Sequence, residues 1–339
     1  MKHCKTITHL LCSYLLLSSC STSMNQEVRF VSDTAADSIR TELFMPENKQ
    51  LNVFYDIRTD DSLLYCLDFY NDTILKIYPR TSSPAIIRYA TKGQGPDDLI
   101  LPFFTREIAQ KGGNIRMTDV NTWSLREIAD SSSPRIHMNS TRLPIVPTMQ
   151  DYAENDTYIY GNNIDDPECL FFIYDKLEQK LKSIYYNDGN LLKDKYPNSF
   201  LLNGNLLLHP ERGLCRSMNN LNSLLFYDLQ GNLQKEVVIG KERAYPEPNP
   251  QFLDFPDANK YTISLTGNQE RIYVLYNGYP TETLGASSKI LLFDWDGNLL
   301  KSIQTDRDLC LISTTPDGDC LYALANNKEG GTDVVRIPL

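Results

Sequence analysis

The chain has 339 residues, 43 acidic against 33 basic, a formal net charge of −10 and 41% hydrophobic residues. An acidic surface without a Lys/Arg cluster repels phosphate backbones, which argues against nucleic acid as a partner. After the first residues, no stretch reaches the ~20 apolar residues a membrane-spanning helix needs.

The N-terminus begins with the basic segment Met1-Lys2-His3-Cys4-Lys5 and continues into the apolar run Leu10–Leu17, then Ser18-Ser19-Cys20. A basic start, a short apolar core and small residues before a cleavage point describe a secretory signal. Leu17-Ser18-Ser19-Cys20 resembles a lipobox, in which Cys20 is lipidated and becomes the first mature residue. Residues 1–19 are thus expected to be a lipoprotein signal peptide. Their removal takes away Lys2 and Lys5 and no acid, moving the net charge from −10 to −12. Residues 20–44, polar and patternless until Leu43-Phe44, are expected to be the lipidated cysteine and its tether, and residues 45–339 the folded domain. The cysteines after Cys20 (Cys66, Cys169, Cys215, Cys310 and Cys320) are odd in number and contain no CxxC pair, so neither a zinc site nor a disulfide framework is indicated. Cys310 and Cys320 flank one predicted turn and are the one pair to test for a bridge.

From about Leu51 onward, short runs of Ile, Leu, Tyr and Phe alternate with Asn, Asp, Gly and Pro clusters, the pattern of strands punctuated by turns. Residues 106–110 and 176–182 are compatible with helix but fit strand or turn better. Two segments repeat: Leu224–Val237, around Asp228-Leu229-Gln230-Gly231-Asn232, and Leu291–Ile303, around Asp294-Trp295-Asp296-Gly297-Asn298. Each reads as a strand, a Gly-Asn turn and a second strand, one β-hairpin, and in the second the Asp296-Gly297 pair suits a two-residue turn. A weaker copy, Phe171–Ile184, lacks the glycine. Further strands open near residues 63, 115, 158, 206, 272 and 321, a spacing of roughly 40–50 residues with one wide interval after 206. Four strands per ~45 residues is the period of a propeller blade. The sequence therefore predicts an all-β, six-bladed β-propeller, with an N-terminal segment near residues 40–57 closing the last blade.

The lipobox, the repeated hairpins and Gly93-Gln94-Gly95-Pro96-Asp97-Asp98-Leu99 together resemble the TolB-like six-bladed propeller lipoproteins of Gram-negative gut bacteria, whose usual loop is G-x-G-P-G-E-F. Here Asp97 stands in place of the third glycine, Asp98 of the glutamate and Leu99 of the phenylalanine. The resemblance implies the fold and an envelope location, and very little chemistry.

Gly93, Gly95 and Pro96 are read as a structural turn, since a phosphate cradle needs a following helix and preferably a lysine. Asp294–Asn298 is read as a hairpin turn and not a calcium loop, because Thr305 stands where an EF-hand has its glutamate. The mature chain has two histidines, His137 and His209, in different expected blades, and no G-x-S-x-G elbow. No catalytic residue, metal or cofactor is assigned. The proline-rich strip 243–257 lies in the widest interval, and its aromatics Tyr245, Phe252 and Phe255 are candidate binding residues on a rigid scaffold. Asp33-Thr34, Asp37-Ser38, Asp61-Ser62 and Asp72-Thr73 resemble acceptors for glycosylation, with Thr34 and Ser38 favoured on the flexible tether. The expected function is a monomeric, membrane-anchored module binding a protein, peptide or glycan, facing the periplasm from the outer membrane. The alternative is a lactonase- or lyase-type propeller enzyme with a metal in its channel.

Overall fold

The computed structural model describes residues 27–32, 36–44, 52–80, 86–129, 134–144, 151–162, 166, 169–186, 202–245, 259–280 and 287–339. Three short strands come first: β1 (Glu27–Val31), β2 (Asp37–Ile39) and β3 (Glu42–Leu43). Blade 1 follows as β4 (Phe54–Thr59), β5 (Leu63–Asp68), β6 (Thr73–Pro79) and β7 (Arg88–Thr91). Blade 2 is β8 (Pro102–Phe104), β9 (Arg116–Asp119), β10 (Ser124–Ile128) and β11 (Met138–Arg142). Blade 3 is β12 (Tyr152–Glu154), β13 (Tyr158–Gly161), β14 (Cys169–Asp175) and β15 (Lys180–Tyr185). Blade 4 is β16 (Leu206–His209), β17 (Gly213–Ser217), β18 (Ser223–Tyr227) and β19 (Leu233–Ile239). Blade 5 is β20 (Asn259–Gly267), β21 (Arg271–Pro280), β22 (Lys289–Asp294) and β23 (Leu299–Thr305). Blade 6 is β24 (Leu309–Thr314), β25 (Cys320–Asn326) and β26 (Thr332–Pro338), completed by β3. The protein is a six-bladed β-propeller, with no α-helix among the described residues.

The apolar residues explain the ring. Each central blade strand is covered on both faces, so β18 is buried at every position. Buried side chains gather into clusters that each span two neighbouring blades. Tyr160 and Phe171 of blade 3 meet Leu214 and Leu225 of blade 4, and Phe226 of blade 4 meets Ile272 and Phe293 of blade 5. The last join sets Phe54, Leu64 and Cys66 of blade 1 against Cys320, Tyr322 and Val334 of blade 6. No blade buries its faces alone, and the ring is the smallest unit that covers them all.

Closure is by β3, whose Leu43 and Glu42 pair antiparallel with Val335 and Arg336. Residues 54–57 already belong to the first blade, so the closing strand is shorter than the predicted 40–57 segment. The tether expected over 20–44 also needs correction. From Glu27 the chain is paired, β1 running parallel to β19 over five positions and β2 parallel to β23 over three. This strap covers the outer edges of blades 4 and 5 before closing blade 6. Thr41 fastens it, its N–H and Oγ1 both donating to Asp306 Oδ1 at 2.9 and 2.8 Å.

The strand openings read from the sequence are second strands in five blades. In blade 4 the Leu206-Leu207-Leu208 run is the first strand, and the second, β17, carries Arg216 and so lacks an unbroken apolar run. Counted from β17, the wide interval after 206 shortens and becomes nearly equal to the one before it. The repeated turns differ from expectation too. Asp228 N–H donates to Asn232 O at 3.0 Å, and Asp294 N–H to Asn298 O at 3.1 Å, enclosing three residues rather than two. Gly231 and Gly297 hold φ of 78° and 74°, and a Cβ on Gly231 would sit 2.6 Å from Ile173 Cδ1 of the preceding blade. The third copy has a four-residue loop whose last member, the exposed Gln179, takes φ 54°. That conformation costs an L-residue roughly 1–2 kcal/mol, while glycine loses about 0.4–1 kcal/mol through the unfolded chain. Gln179→Gly should therefore stabilise the protein by about 0.5–1 kcal/mol, read as a higher denaturation midpoint at unchanged m-value.

All five described cysteines are free. Cys310 sits at a bulge between Leu309 and Leu311, near the Ala325 end of β25, and Cys320 starts that strand at its other end. They cannot bridge, because a disulfide needs Cα atoms within about 7 Å.

Candidate functional site

The first strands of the blades line the central channel, and pack on one another around it. On one face lie the turns between strands 1 and 2 and between strands 3 and 4, and on the other the remaining connections. Blade 2 departs from the pattern. After β8, residues 105–110 continue across the channel instead of turning back. Arg106 N–H donates to Tyr152 O of blade 3 at 2.7 Å, Ile108 N–H to Leu208 O of blade 4 at 2.9 Å, and Ala109 N–H to Gly267 O of blade 5 at 2.7 Å. From blade 1, the Arg58 guanidinium donates through Nη2 to Glu107 O at 2.6 Å and Ile108 O at 3.1 Å. Ile108 and Ala109 are buried within this crossing. The channel is sealed. Beneath the crossing remains a cavity of about 30 Å³ beside Arg58, Arg106, Asn205, Ser264 and Ser313, space for about one or two waters.

The seal is held by charge. Asp56 is fully buried and accepts from Phe104 N–H at 3.0 Å and from Arg106 Nη1 at 3.1 Å. Arg106 Nε also reaches Asp151 Oδ1 at 3.4 Å, and Asp151 Oδ2 lies 3.6 Å from Arg216 Nη1. Burial works against the Arg106 charge, but Asp56 and Asp151 together raise its pKa above the ordinary arginine value. A second network lies above the crossing. Arg116 bridges Glu107 at 2.9 Å and Glu154 at 2.5 Å, while Lys176 binds the other oxygen of Glu154 at 2.7 Å.

Above the crossing opens a pocket of about 600 Å³ formed by the 1–2 and 3–4 turns of blades 1 to 4, within the ~300–1,000 Å³ range of small-ligand sites. Its walls bring together Arg58, Glu107, Ile108, Arg116, Glu154, Asp156, Thr157, Lys176 and Glu211. Burial pulls the pKa of Arg58 below the ordinary arginine value, against the raising effect of Glu107. Six carboxylates and three cations line the pocket, which is therefore acidic.

This arrangement does not fit a metal in the channel. Its central carboxylates, Asp56 and Asp151, are already bound by guanidiniums. Among the described residues no three His, Cys, Asp or Glu side chains converge as ligands.

No family model matches the chain, and no curated protein is similar to it in sequence. Its solved neighbours share the architecture alone. A streptogramin B lyase is 11% identical, with 88% of this chain and 97% of that one covered at a TM-score of 0.44. The Cps50 (Swd1) β-propeller domain of Myceliophteria thermophila is 9% identical over 87% and 99% of the two chains at 0.44. Hydrazine synthase of Kuenenia stuttgartiensis is 12% identical over 87% and 89% at 0.43.

The residues singled out from the sequence lie elsewhere. Gly93, Gly95 and Pro96 form the connection from blade 1 to blade 2, on the face opposite the pocket. Asp98, standing in place of the family's glutamate, fastens that loop. It accepts from Gly95 N–H at 3.0 Å, Thr91 Oγ1 at 2.5 Å and Arg135 Nη2 at 2.7 Å. The Thr91 hydrogen bond, ahead of Gly95 and Arg135 and against burial, lowers the carboxyl's pKa. A Cβ on Gly93 or Gly95 would come within 2.5 or 2.7 Å of that carboxylate. Tyr245, expected to present apolar contact area, is half-buried against the cluster joining blades 3 and 4, so packing accounts for it. Phe252, Phe255, Cys20 and Thr34 lie outside the described residues. Ser38 lies in strand β2, so the flexible backbone that favoured its glycosylation is absent there. The two histidines stay apart. His137 is exposed and faces Asp97 at 3.0 Å, while His209 is buried edge-on to Trp295.

Sequence reading missed Arg58, Arg106, Glu107, Arg116 and Glu154. The available signal was charge inside strand-like apolar runs, as in Phe54-Tyr55-Asp56-Ile57-Arg58 and Phe103-Phe104-Thr105-Arg106-Glu107.

Proposed function

We propose that the protein is a membrane-tethered binding module that takes a peptide, a protein segment or a glycan in the pocket over the sealed channel. The observation that carries this reading is the crossing segment. It closes the channel that a metal-dependent propeller enzyme would use, and turns one mouth into the floor of a pocket of about 600 Å³. A rigid ring presenting loops around a preformed hollow suits recognition. The tether rests on the lipobox and on the resemblance to TolB-like propeller lipoproteins. Seven residues from Cys20 to Glu27 span at most about 25 Å, so the anchor would hold the outer edge of blade 4 close to the membrane. No acidic residue follows Cys20 directly, in Ser21–Gln26, which favours the periplasmic side of the outer membrane. Cys20→Ala should abolish incorporation of labelled palmitate; equal labelling of the variant would remove the anchor from the account.

The pocket is tested by a thermal-shift survey of the chain from Ser21 onward with pooled tripeptides and soluble oligosaccharides, with and without a chelator. At least one pool should raise the unfolding midpoint of the native protein, regardless of chelator. It should fail to do so with Thr157→Trp, where an exposed wall residue is enlarged to fill the mouth. A shift that survives Thr157→Trp would place binding elsewhere.

A further inference from the structure

We propose that Arg58 is a docking point for a carboxylate and that the pocket takes a small zwitterion, an amino acid or short peptide with free termini. This rests on the pocket reading above and names its ligand class. Of the guanidiniums around the crossing segment, Arg106 is matched by Asp56 and by Asp151, which Arg216 shares, and Arg116 by Glu107 and Glu154. Arg58 has no carboxylate in contact among the described residues. Its hydrogen bonds run from a single nitrogen, Nη2, to two backbone carbonyls. Nε and Nη1 have no acceptor among the described residues. Neutral carbonyls supply no counter-charge in contact, Glu107 and Asp56 acting on Arg58 only through space, and a planar fork with donors left over is suited to bidentate recognition of a carboxylate. Arg58 borders both the pocket and the small cavity beneath it.

The remaining lining says what else the ligand must carry. Asp156 and Glu211 stand at the pocket border, exposed, and neither carboxylate makes a hydrogen bond or ion pair among the described residues. With carboxylates outnumbering cations six to three around the pocket, a simple anion would be repelled before it reached Arg58. A ligand with an ammonium as well satisfies both ends, its carboxylate deep and its cation toward the border.

The test is affinity selection with the chain from Ser21 onward and three tripeptide pools: free termini, C-amidated and N-acetylated. The native protein should retain the free-termini pool, and amidation should weaken retention by at least about tenfold, as for loss of a charged hydrogen-bonding group. Acetylation should weaken it by a smaller factor. In Arg58→Gln, shown folded by its thermal transition, acid and amide pools should bind alike. If Arg58 only clasps the crossing segment, both pools would weaken together and their ratio would persist, which overturns the proposal. Should Arg58→Gln fail to fold, the acid-to-amide ratio in native protein and in Arg58→Lys decides. Equal retention of acid and amide by native protein, or no retention of any pool at millimolar concentration, also overturns it. Oligosaccharide binding blocked by Thr157→Trp would then keep the pocket and discard only the zwitterion. Tripeptide retention unaffected by Thr157→Trp discards both.

Discussion

Deleting residues 27–44 should leave a chain with no cooperative thermal transition that elutes as aggregates. The strap supplies ten paired positions, five on β19, three on β23 and two on β26. Each backbone hydrogen bond nets about 0.5–1.5 kcal/mol, so their sum is comparable with the ~5–15 kcal/mol that holds a whole domain. The edge of Phe44 on Tyr322, centroids 5.0 Å apart, and the two bonds from Thr41 to Asp306 go with it. What remains is a ring whose blade 6 has three strands and whose blades 4 and 5 expose bare edges. Bare edges pair with other chains. Size-exclusion chromatography and circular dichroism read the outcome. A monomer with the native midpoint would show that the strap is dispensable.

Arg106→Met should cost about 3–5 kcal/mol, the scale for leaving a buried carboxylate without its partner. Asp56 is fully buried and would keep only the N–H groups of Phe104 and Ile57 as donors. Asp151 is less affected, because Asn162 Nδ2 at 3.0 Å and Arg216 remain beside it. The midpoint should fall by roughly 10 °C, at ~2–4 °C per kcal/mol for a large domain. Adding Asp56→Asn removes the stranded charge and keeps an acceptor for the backbone, so the double variant should recover most of the loss. Equal stability of Arg106→Met and native protein would mean that the buried network does not hold the seal.

The ring was legible because its blades repeat: hairpins of apolar strands around an Asp-x-x-Gly-Asn turn recur at the spacing of a blade. Its phase slipped in blade 4, where Leu206-Leu207-Leu208 outweighs Gly213-Leu214-Cys215-Arg216 as a strand signal although both are strands. The strap was hidden for a different reason. β1 lies at an edge, with neighbours on one side only, so its residues Glu27, Val28 and Phe30 remain exposed and carry little apolar signal. The pocket could not be read at all from local pattern. Arg58, Glu107 and Glu154 come from three blades, and they meet only because residues 105–110 cross a channel whose existence depends on closure of the whole ring.

Backbone hydrogen exchange tests most directly the claim that the sealed mouth is where the ligand sits. The chain from Ser21 onward would be compared alone and saturated with the tripeptide or oligosaccharide pool that shifts its midpoint. Exchange should slow at residues 105–115, 154–157 and at Glu211, and stay unchanged at residues 93–99 on the opposite face. Protection confined to 93–99, with the crossing segment unaffected, would contradict the account.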